Sequence, residues 1–139
     1  MTNKVFIDTG FMIGLISKKD QYHHEAKRIL KSGVLKDKRL VTSEMVLTEL
    51  LNAFSDKGKE LRVMALRYVN KLISSQEVHH QNHELFEEAK KYYADRPDKE
   101  WGLTDCASFL IMERNDIKTA LSFDKHFIQA RYTNIRMQD

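Results

Sequence analysis

The sequence predicts an α/β fold in which helices cover both faces of a central parallel sheet of about five strands. Short segments rich in β-branched and aromatic residues alternate with longer segments in which apolar residues recur every three or four positions. This alternation is typical of βαβ units. The 139 residues include five glycines and one proline, and no linker or repeat divides them. We therefore expect a single domain over residues 1–139.

The first half of the chain supplies two strands and two helices. Val, Phe and Ile predict a buried strand over residues 4–8. An amphipathic helix is expected over residues 20–31, followed by a short strand over residues 40–42. Ser43 is then a candidate N-cap for a helix over residues 44–54, because a serine side chain can accept a hydrogen bond from a free amide of the first turn.

The second half repeats the alternation. Its predicted elements are a helix over residues 59–74, a strand over residues 77–80, a helix to residue 94 capped by Asn82, a helix over residues 105–114 capped by Thr104, and strands over residues 119–123 and 135–137. We expect Trp101 to be a hydrophobic anchor beside the helix that starts near Thr104, with base stacking as the alternative.

Composition excludes several classes of protein. Hydrophobic residues make up 42% of the chain and charged residues 31%, which is typical of globular rather than disordered proteins. No apolar run approaches the ~20 residues of a transmembrane helix, and the first residues lack a secretory signal pattern. Cys106 is the only cysteine, so neither an internal disulfide nor a cysteine-based zinc site can form. We expect a cytoplasmic protein without membrane contact.

Charge is distributed unevenly, although the net charge is only +3. Residues 18–39 carry eight Lys and Arg against three Asp and Glu, and residues 57–71 carry five against one. Residues 77–100 carry four against seven. If the two basic segments share a face, that face can hold a phosphate backbone. The alternative is that these side chains only solvate helix surfaces.

Two acidic residues end predicted strands. Asp8 follows the first strand, and Asp124 follows the strand over residues 119–123. The carboxyl ends of parallel strands meet at one edge of the sheet. An ionised carboxylate beside apolar residues is costly unless it faces a cleft, a partner or a cation. Each acid has a simpler alternative role, as a cap or turn residue for the segment that follows it.

Two further acids lie on predicted helices. Glu49 lies at the border of the apolar arc of its helix, where a carboxylate either reaches a cleft or has no role. Asp105 lies in a first turn, where an acid also complements the helix dipole by ~0.3–1 kcal/mol. Four carboxylates in one cleft repel each other unless a divalent cation neutralises them. An all-oxygen ligand set favours Mg²⁺ or Mn²⁺, and paired ions can activate water for phosphodiester hydrolysis.

Four short motifs carry a family resemblance. They are DTG at residues 8–10, TEL at residues 48–50, WGLTDC at residues 101–106 and SFDKHF at residues 122–127. In this order and spacing they resemble a PIN domain, and most closely the single-domain VapC-type toxin ribonucleases. The resemblance covers essentially the whole chain, although each motif alone is short.

The resemblance implies a three-layer α/β/α fold and a metal-dependent endoribonuclease. Carried over by position, the catalytic and metal-binding acids are Asp8, Glu49, Asp105 and Asp124. Thr9 and Thr104 match the hydroxyl positions that support them. The resemblance also implies Mg²⁺ or Mn²⁺ as the cofactor and a structured RNA such as tRNA or rRNA as the substrate. A small cognate antitoxin and a homodimer are the implied protein partners.

Other functions stay open at this point. An RNA-processing nuclease without an antitoxin, or a catalytically silent PIN-like binding module, fits the same resemblance. Three other α/β families are excluded. This sequence lacks the acids that a receiver domain or a haloacid-type phosphatase requires, and it lacks the glycine-rich loop of a P-loop protein. One departure concerns Arg131, which stands where relatives often have glycine and puts the local loop in question. His126, two residues past Asp124, is either a surface residue or an RNA contact.

Overall fold

The computed structural model describes residues 3–135 as alternating strands and helices. In chain order they are β1 (Lys4–Ile7), α1 (Thr9–Ile16), α2 (His23–Lys31), β2 (Arg39–Ser43), α3 (Glu44–Ala53), α4 (Lys59–Ser75), β3 (Glu77–His79), α5 (His83–Ala94), α6 (Leu103–Arg114), β4 (Thr119–Leu121), α7 (His126–Gln129) and β5 (Thr133–Asn134).

The five strands form one parallel sheet in the order β3-β2-β1-β4-β5. Phe6 of the central strand β1 pairs with Val41 of β2 on one side and with Ala120 of β4 on the other. Seven helices flank the sheet within the described part of the chain, and the predicted α/β/α fold is confirmed. The first three strands lie in chain order from the centre of the sheet to one edge, and β4 and β5 lie on the other side of β1. The strand order therefore reverses between β1 and β4, where open parallel sheets bind their ligands.

Two predicted helix starts are confirmed. The Ser43 side chain accepts the Val46 amide at 3.2 Å, and α3 begins at the next residue. The Asn82 side chain accepts the Leu85 amide at 2.8 Å at the start of α5. These caps depend on side chains only three residues from their donors, so the local sequence determines them.

Two predicted helix starts are wrong, and two helices, α1 and α7, lie where no element is predicted. α2 begins at His23 rather than at residue 20, because the Asp20 side chain accepts the Tyr22 amide at 3.0 Å and forms a turn instead. Thr104 is not the cap of α6. That helix begins at Leu103 after Gly102, whose amide donates to Asp105 Oδ2 at 3.1 Å.

The last two strands differ from their predicted bounds because of one side chain. β4 ends at Leu121, two residues earlier than expected. Beyond it, the Asn134 side chain accepts the Ser122 amide and donates to the Ser122 carbonyl, in place of a further backbone pair. β5 lies at Thr133–Asn134. The strand predicted over residues 135–137 is therefore shifted, and its last two residues lie outside the described residues.

The aromatic core fixes the segment before α6. Trp101 is 7% exposed, and its ring packs edge-on against Phe109 with the two ring centres 4.9 Å apart. It is therefore the predicted hydrophobic anchor. Phe109 in turn contacts Phe127 at 5.1 Å. Cys106 is buried in the same core. No helix within residues 3–135 is both long and apolar enough to cross a membrane.

Arg131 adopts a left-handed backbone conformation, with φ of 71°. A side chain with a Cβ atom is strained there, whereas glycine is not. A glycine, which the family resemblance leads us to expect at this position, would therefore relieve the strain.

Candidate active site

A cleft of about 690 Å³ opens where Asp8 and Asp124 follow β1 and β4. This is the edge at which the strand order of the sheet reverses. Each of the six predicted site residues lines the cleft: Asp8, Thr9, Glu49, Thr104, Asp105 and Asp124. They come from both ends of the chain and from three helices, so the fold itself brings them together.

Asp8 is the most deeply buried of the four acids, with 8% of its surface exposed. It is the residue before α1, and its side chain makes no capping hydrogen bond there. The Ser122 hydroxyl donates to Asp8 Oδ2 at 3.1 Å. Burial raises the pKa of Asp8 to about 7, and the charges of Asp105 and Asp124 add to the rise. Hydrogen bonds from the Thr9 amide and Ser122 oppose it.

Asp105 and Asp124 are joined by one imidazole. His126 Nδ1 lies 3.0 Å from Asp105 Oδ2 and 3.1 Å from Asp124 Oδ2. Burial raises the pKa of Asp105, the Gly102 amide and His126 lower it, and Asp124 raises it. The two carboxylates therefore share the His126 side chain as a hydrogen-bond partner. Their negative charges also raise the pKa of Asp8.

The loop after β4 holds Asp124 by two short bonds. The Asp124 amide donates to Ser122 Oγ at 3.0 Å, and Asp124 Oδ1 accepts the His126 amide at 2.9 Å. The predicted turn role of Asp124 is thus real, and one carboxylate oxygen performs it. The other oxygen, Oδ2, faces the imidazole of His126.

Glu49 lies at the exposed rim of the cleft. The Thr9 hydroxyl donates to Glu49 Oε1 at 3.0 Å, which ties α3 to the first residue of α1. Thr104, the second residue of α6, also lines the cleft.

The donor set suits a hard divalent cation, although the side chains do not form a ready cage. Three carboxylates act on one another electrostatically in a partly buried cleft, and oxygen donors are those that Mg²⁺ and Mn²⁺ prefer. Within residues 3–135, no group of three or more His, Cys, Asp or Glu side chains is arranged to hold a metal ion. His126 occupies the Oδ2 atoms of two acids, and Thr9 occupies Glu49. Side-chain rotation is therefore needed before the carboxylates can share an ion.

A second cavity, of about 590 Å³, adjoins the acidic cleft. Ile13 and Asp20 line both. Lys18 and Lys19, from the first basic segment, line this second cavity together with Lys57, from the other. One end of each basic segment therefore reaches the cavity beside the acids.

Sequence reasoning missed two polar contributors and one aromatic pair. Ser122 contacts Asp8, and the signal for it was its place two residues before Asp124 at a strand end. His126 was noticed for its position, but no local pattern indicates that it bridges two acids. Tyr22 stacks on Phe123 at the cleft wall, a contact between residues a hundred positions apart.

Comparison with known proteins identifies the family. The model of the PIN domain matches residues 5–131. The chain belongs to the PIN-domain family. Over 135 residues this PIN protein is 30% identical to the 23S rRNA-specific endonuclease VapC20 of Mycobacterium tuberculosis strain H37Rv, a match that covers 95% of this chain and 98% of the relative.

Solved structures agree with this assignment. The crystal structure of Mycobacterium tuberculosis VapC20, titled a sarcin–ricin loop cleaving toxin, has a TM-score of 0.84 and 28% identity over 96% of this chain and 99% of that one. FitAcB from Neisseria gonorrhoeae shares the fold, with a TM-score of 0.66 and 15% identity over 94% of this chain and 96% of that one. The resemblance of this PIN protein to VapC-type toxins is therefore confirmed, and it supports a VapC-like toxin ribonuclease.

Proposed function

We propose that this PIN protein is a metal-dependent endoribonuclease and the toxin of a type II toxin–antitoxin pair. The observation that carries the proposal is the convergence of Asp8, Asp105 and Asp124 in one cleft where the strand order of the sheet reverses. The identity to VapC20 over nearly the whole chain supports the same reaction.

Four acids would hold the cation, either Mg²⁺ or Mn²⁺: Asp8, Glu49, Asp105 and Asp124. A bound divalent ion supplies Lewis-acid polarisation of a phosphate and activation of water for in-line attack. Ser122 and Thr9 orient two of the acids through hydrogen bonds, and the Gly102 amide orients a third. His126 positions Asp105 and Asp124 relative to each other. No side chain forms a covalent intermediate in this scheme.

The lysines beside the cleft give RNA a path to the acids. Lys18, Lys19 and Lys57 line the adjoining cavity and would neutralise phosphates on either side of the cleaved bond. VapC20 is described as a 23S rRNA-specific endonuclease that cleaves the sarcin–ricin loop. We therefore propose structured ribosomal RNA, ahead of tRNA, as the first substrate to test.

A small cognate antitoxin is the proposed protein partner. Solved relatives with this fold include VapBC2 from Rickettsia felis bound to a DNA fragment from its promoter, with a TM-score of 0.63 and 16% identity over 95% of this chain and 97% of that one. That likeness establishes the fold, and the partner is carried over from the family as a proposal. A homodimer stays a prediction of the same kind.

The test combines cleavage in vitro with expression in cells. Purified wild type is incubated with ribosomes and with an oligonucleotide that carries the sarcin–ricin loop, in Mg²⁺, in Mn²⁺ and in excess EDTA, and the new RNA ends are sequenced. Asp8→Asn and Asp105→Asn should abolish cleavage, whereas Asp98→Asn is the matched control because that carboxylate is 76% exposed outside the cleft.

Induced expression then separates the possible roles. Growth arrest with discrete new RNA ends, in wild type and Asp98→Asn but not in Asp8→Asn, supports the toxin. Cleavage without arrest would favour an RNA-processing nuclease. Absence of cleavage by folded protein, at any metal concentration and on any RNA tested, would contradict the proposal and favour a silent binding module.

A further inference from the structure

The acidic cleft has an electrostatic problem with RNA. Asp20 and the four candidate ligands line it, and Lys125 is the only Lys or Arg among its lining residues in the described part of the chain. Phosphates are repelled by such a surface unless cations intervene. Attraction that does not depend on charge is therefore useful inside the cleft, and aromatic surface supplies it.

An aromatic column runs from the core to the wall of the cleft. Phe11 is fully buried, and its ring centre lies 5.9 Å from that of Phe123. The Tyr22 ring stacks on Phe123 at 4.4 Å with an angle of 16° between the planes. Phe123 and Tyr22 are both partly exposed and both line the cleft. Phe123 directly precedes Asp124, so the column stands beside the acids.

The Tyr22 backbone is held in a fixed turn. Its amide donates to Asp20 Oδ2 at 3.0 Å, and the next residue, His23, bonds the Gly14 carbonyl of α1 through its ring at 2.7 Å. The Tyr22 carbonyl also packs against Gly14, where an added Cβ atom would lie 3.4 Å from it, at ordinary van der Waals distance. A ring held in place before binding loses little conformational freedom when a ligand packs against it.

We propose that Tyr22, backed by Phe123, is a stacking platform for an unpaired base next to the cleaved phosphate. The proposal rests on the ribonuclease function above and names one subsite of it. Proteins recognise single-stranded and loop RNA by stacking splayed bases on aromatic rings. The platform would select an RNA that can present an unpaired base beside the scissile bond, and would disfavour a continuous duplex.

Cleavage kinetics provide the first test. The substrate is the sarcin–ricin loop oligonucleotide, and Tyr22→Ala should lower kcat/KM by about tenfold or more. Tyr22→Phe keeps the ring and should retain wild-type kcat/KM. Tyr93→Ala is the matched control, because Tyr93 is 56% exposed on α5 and does not line the cleft. Thermal melting of each variant shows that the fold is retained.

Salt dependence separates stacking from charge. Tyr22→Ala should leave the slope of log kcat/KM against log salt unchanged, because no phosphate contact is lost. Lys57→Ala should make that slope shallower by about one. A changed slope in Tyr22→Ala, or a Tyr22→Phe variant as impaired as Tyr22→Ala, would overturn the platform.

A binding cycle identifies the base and keeps the two proposals distinguishable. Anisotropy is measured in the Asp8→Asn background, with and without Tyr22→Ala, on the same RNA carrying one abasic nucleotide at each loop position in turn. Removal of one base should weaken binding only while Tyr22 is present. Such coupling without cleavage by the wild type would contradict the ribonuclease and leave the platform intact. Cleavage by the wild type with no coupling at any position would contradict the platform alone.

Discussion

Asp8→Asn should stabilise the metal-free protein even though it abolishes activity. In the folded chain, burial raises the pKa of Asp8 to about 7 from an ordinary value of 3.8. The proton is therefore held more tightly in the folded state than in the unfolded state. The substitution replaces a carboxylate by a neutral amide of the same shape, and Ser122 can still donate to the amide oxygen.

The magnitude and its pH dependence follow from linkage. Well below pH 3.8 the carboxyl is neutral in both states, so the two proteins should be almost equally stable. As pH rises from about 3.8 to about 7, the unfolded chain is ionised while the folded carboxyl is still largely protonated, so the wild type loses stability that the variant keeps. A shift of roughly three pKa units at ~1.4 kcal/mol each gives a ceiling of ~4 kcal/mol at pH 8. We expect about half of that, because protein relaxation and water penetration reduce the penalty.

Urea unfolding in excess EDTA at pH 4.5, 5.5, 6.5 and 8 measures this difference. The free energy of unfolding of Asp8→Asn should exceed that of wild type by an amount that grows with pH and levels off near pH 8. Asp98→Asn, at an exposed site, should show no such trend. A variant less stable than wild type at pH 8, or a difference that does not change with pH, would refute the idea that Asp8 is held at a cost.

Three further outcomes are expected. Mg²⁺ at ten times its Kd should stabilise wild type by ~1.4 kcal/mol in a melting titration, whereas no response up to tens of millimolar would argue that the acids do not share an ion. His126→Ala should strengthen Mn²⁺ binding by about tenfold in calorimetry, because the imidazole that competes with the ion for the Oδ2 atoms of Asp105 and Asp124 is lost, and His126→Asn should restore part of the competition by keeping a donor near the position of Nδ1. Arg131→Gly should raise the free energy of unfolding by ~1 kcal/mol in urea because it relieves the left-handed backbone, and an equal gain in Arg131→Ala would rule that cause out.

Features of the fold that depend on near neighbours in the sequence could be predicted. Ser43 and Asn82 cap their helices through residues three positions away. Features that depend on a distant or competing partner could not. Thr104 has the right chemistry for a cap, but Gly102 is the N-cap residue and Asp105 accepts its amide. The end of β4 depends on a side chain twelve residues away, for which no propensity scale has a signal.

The same distinction holds for the cleft. The acids could be assigned from strand ends and from the family resemblance, and all four line one cavity. The bridge from His126 to two carboxylates and the stack of Tyr22 on Phe123 depend on rotamers and on chain segments that only the tertiary structure brings together. The family resemblance predicted the four acids because the family motifs specify acidic residues at those positions. The motifs do not specify the contacts of His126 or Tyr22.

The cost of this site and its proposed activity have one physical origin. A buried carboxylate with a pKa near 7 is unfavourable for the folded chain, and the charges of Asp105 and Asp124 add to that cost. The negative charge of these carboxylates attracts a small divalent cation. Binding of the ion would remove the repulsion between the acids, and the free energy released would add to the affinity for the ion. His126 supplies a weaker substitute while no ion is bound, because its donor satisfies two of the acids at once. Cation affinity and the stabilisation by Asp8→Asn should therefore rise and fall together: a cleft variant that lowers one without lowering the other would show that the acids are strained for a reason other than metal binding.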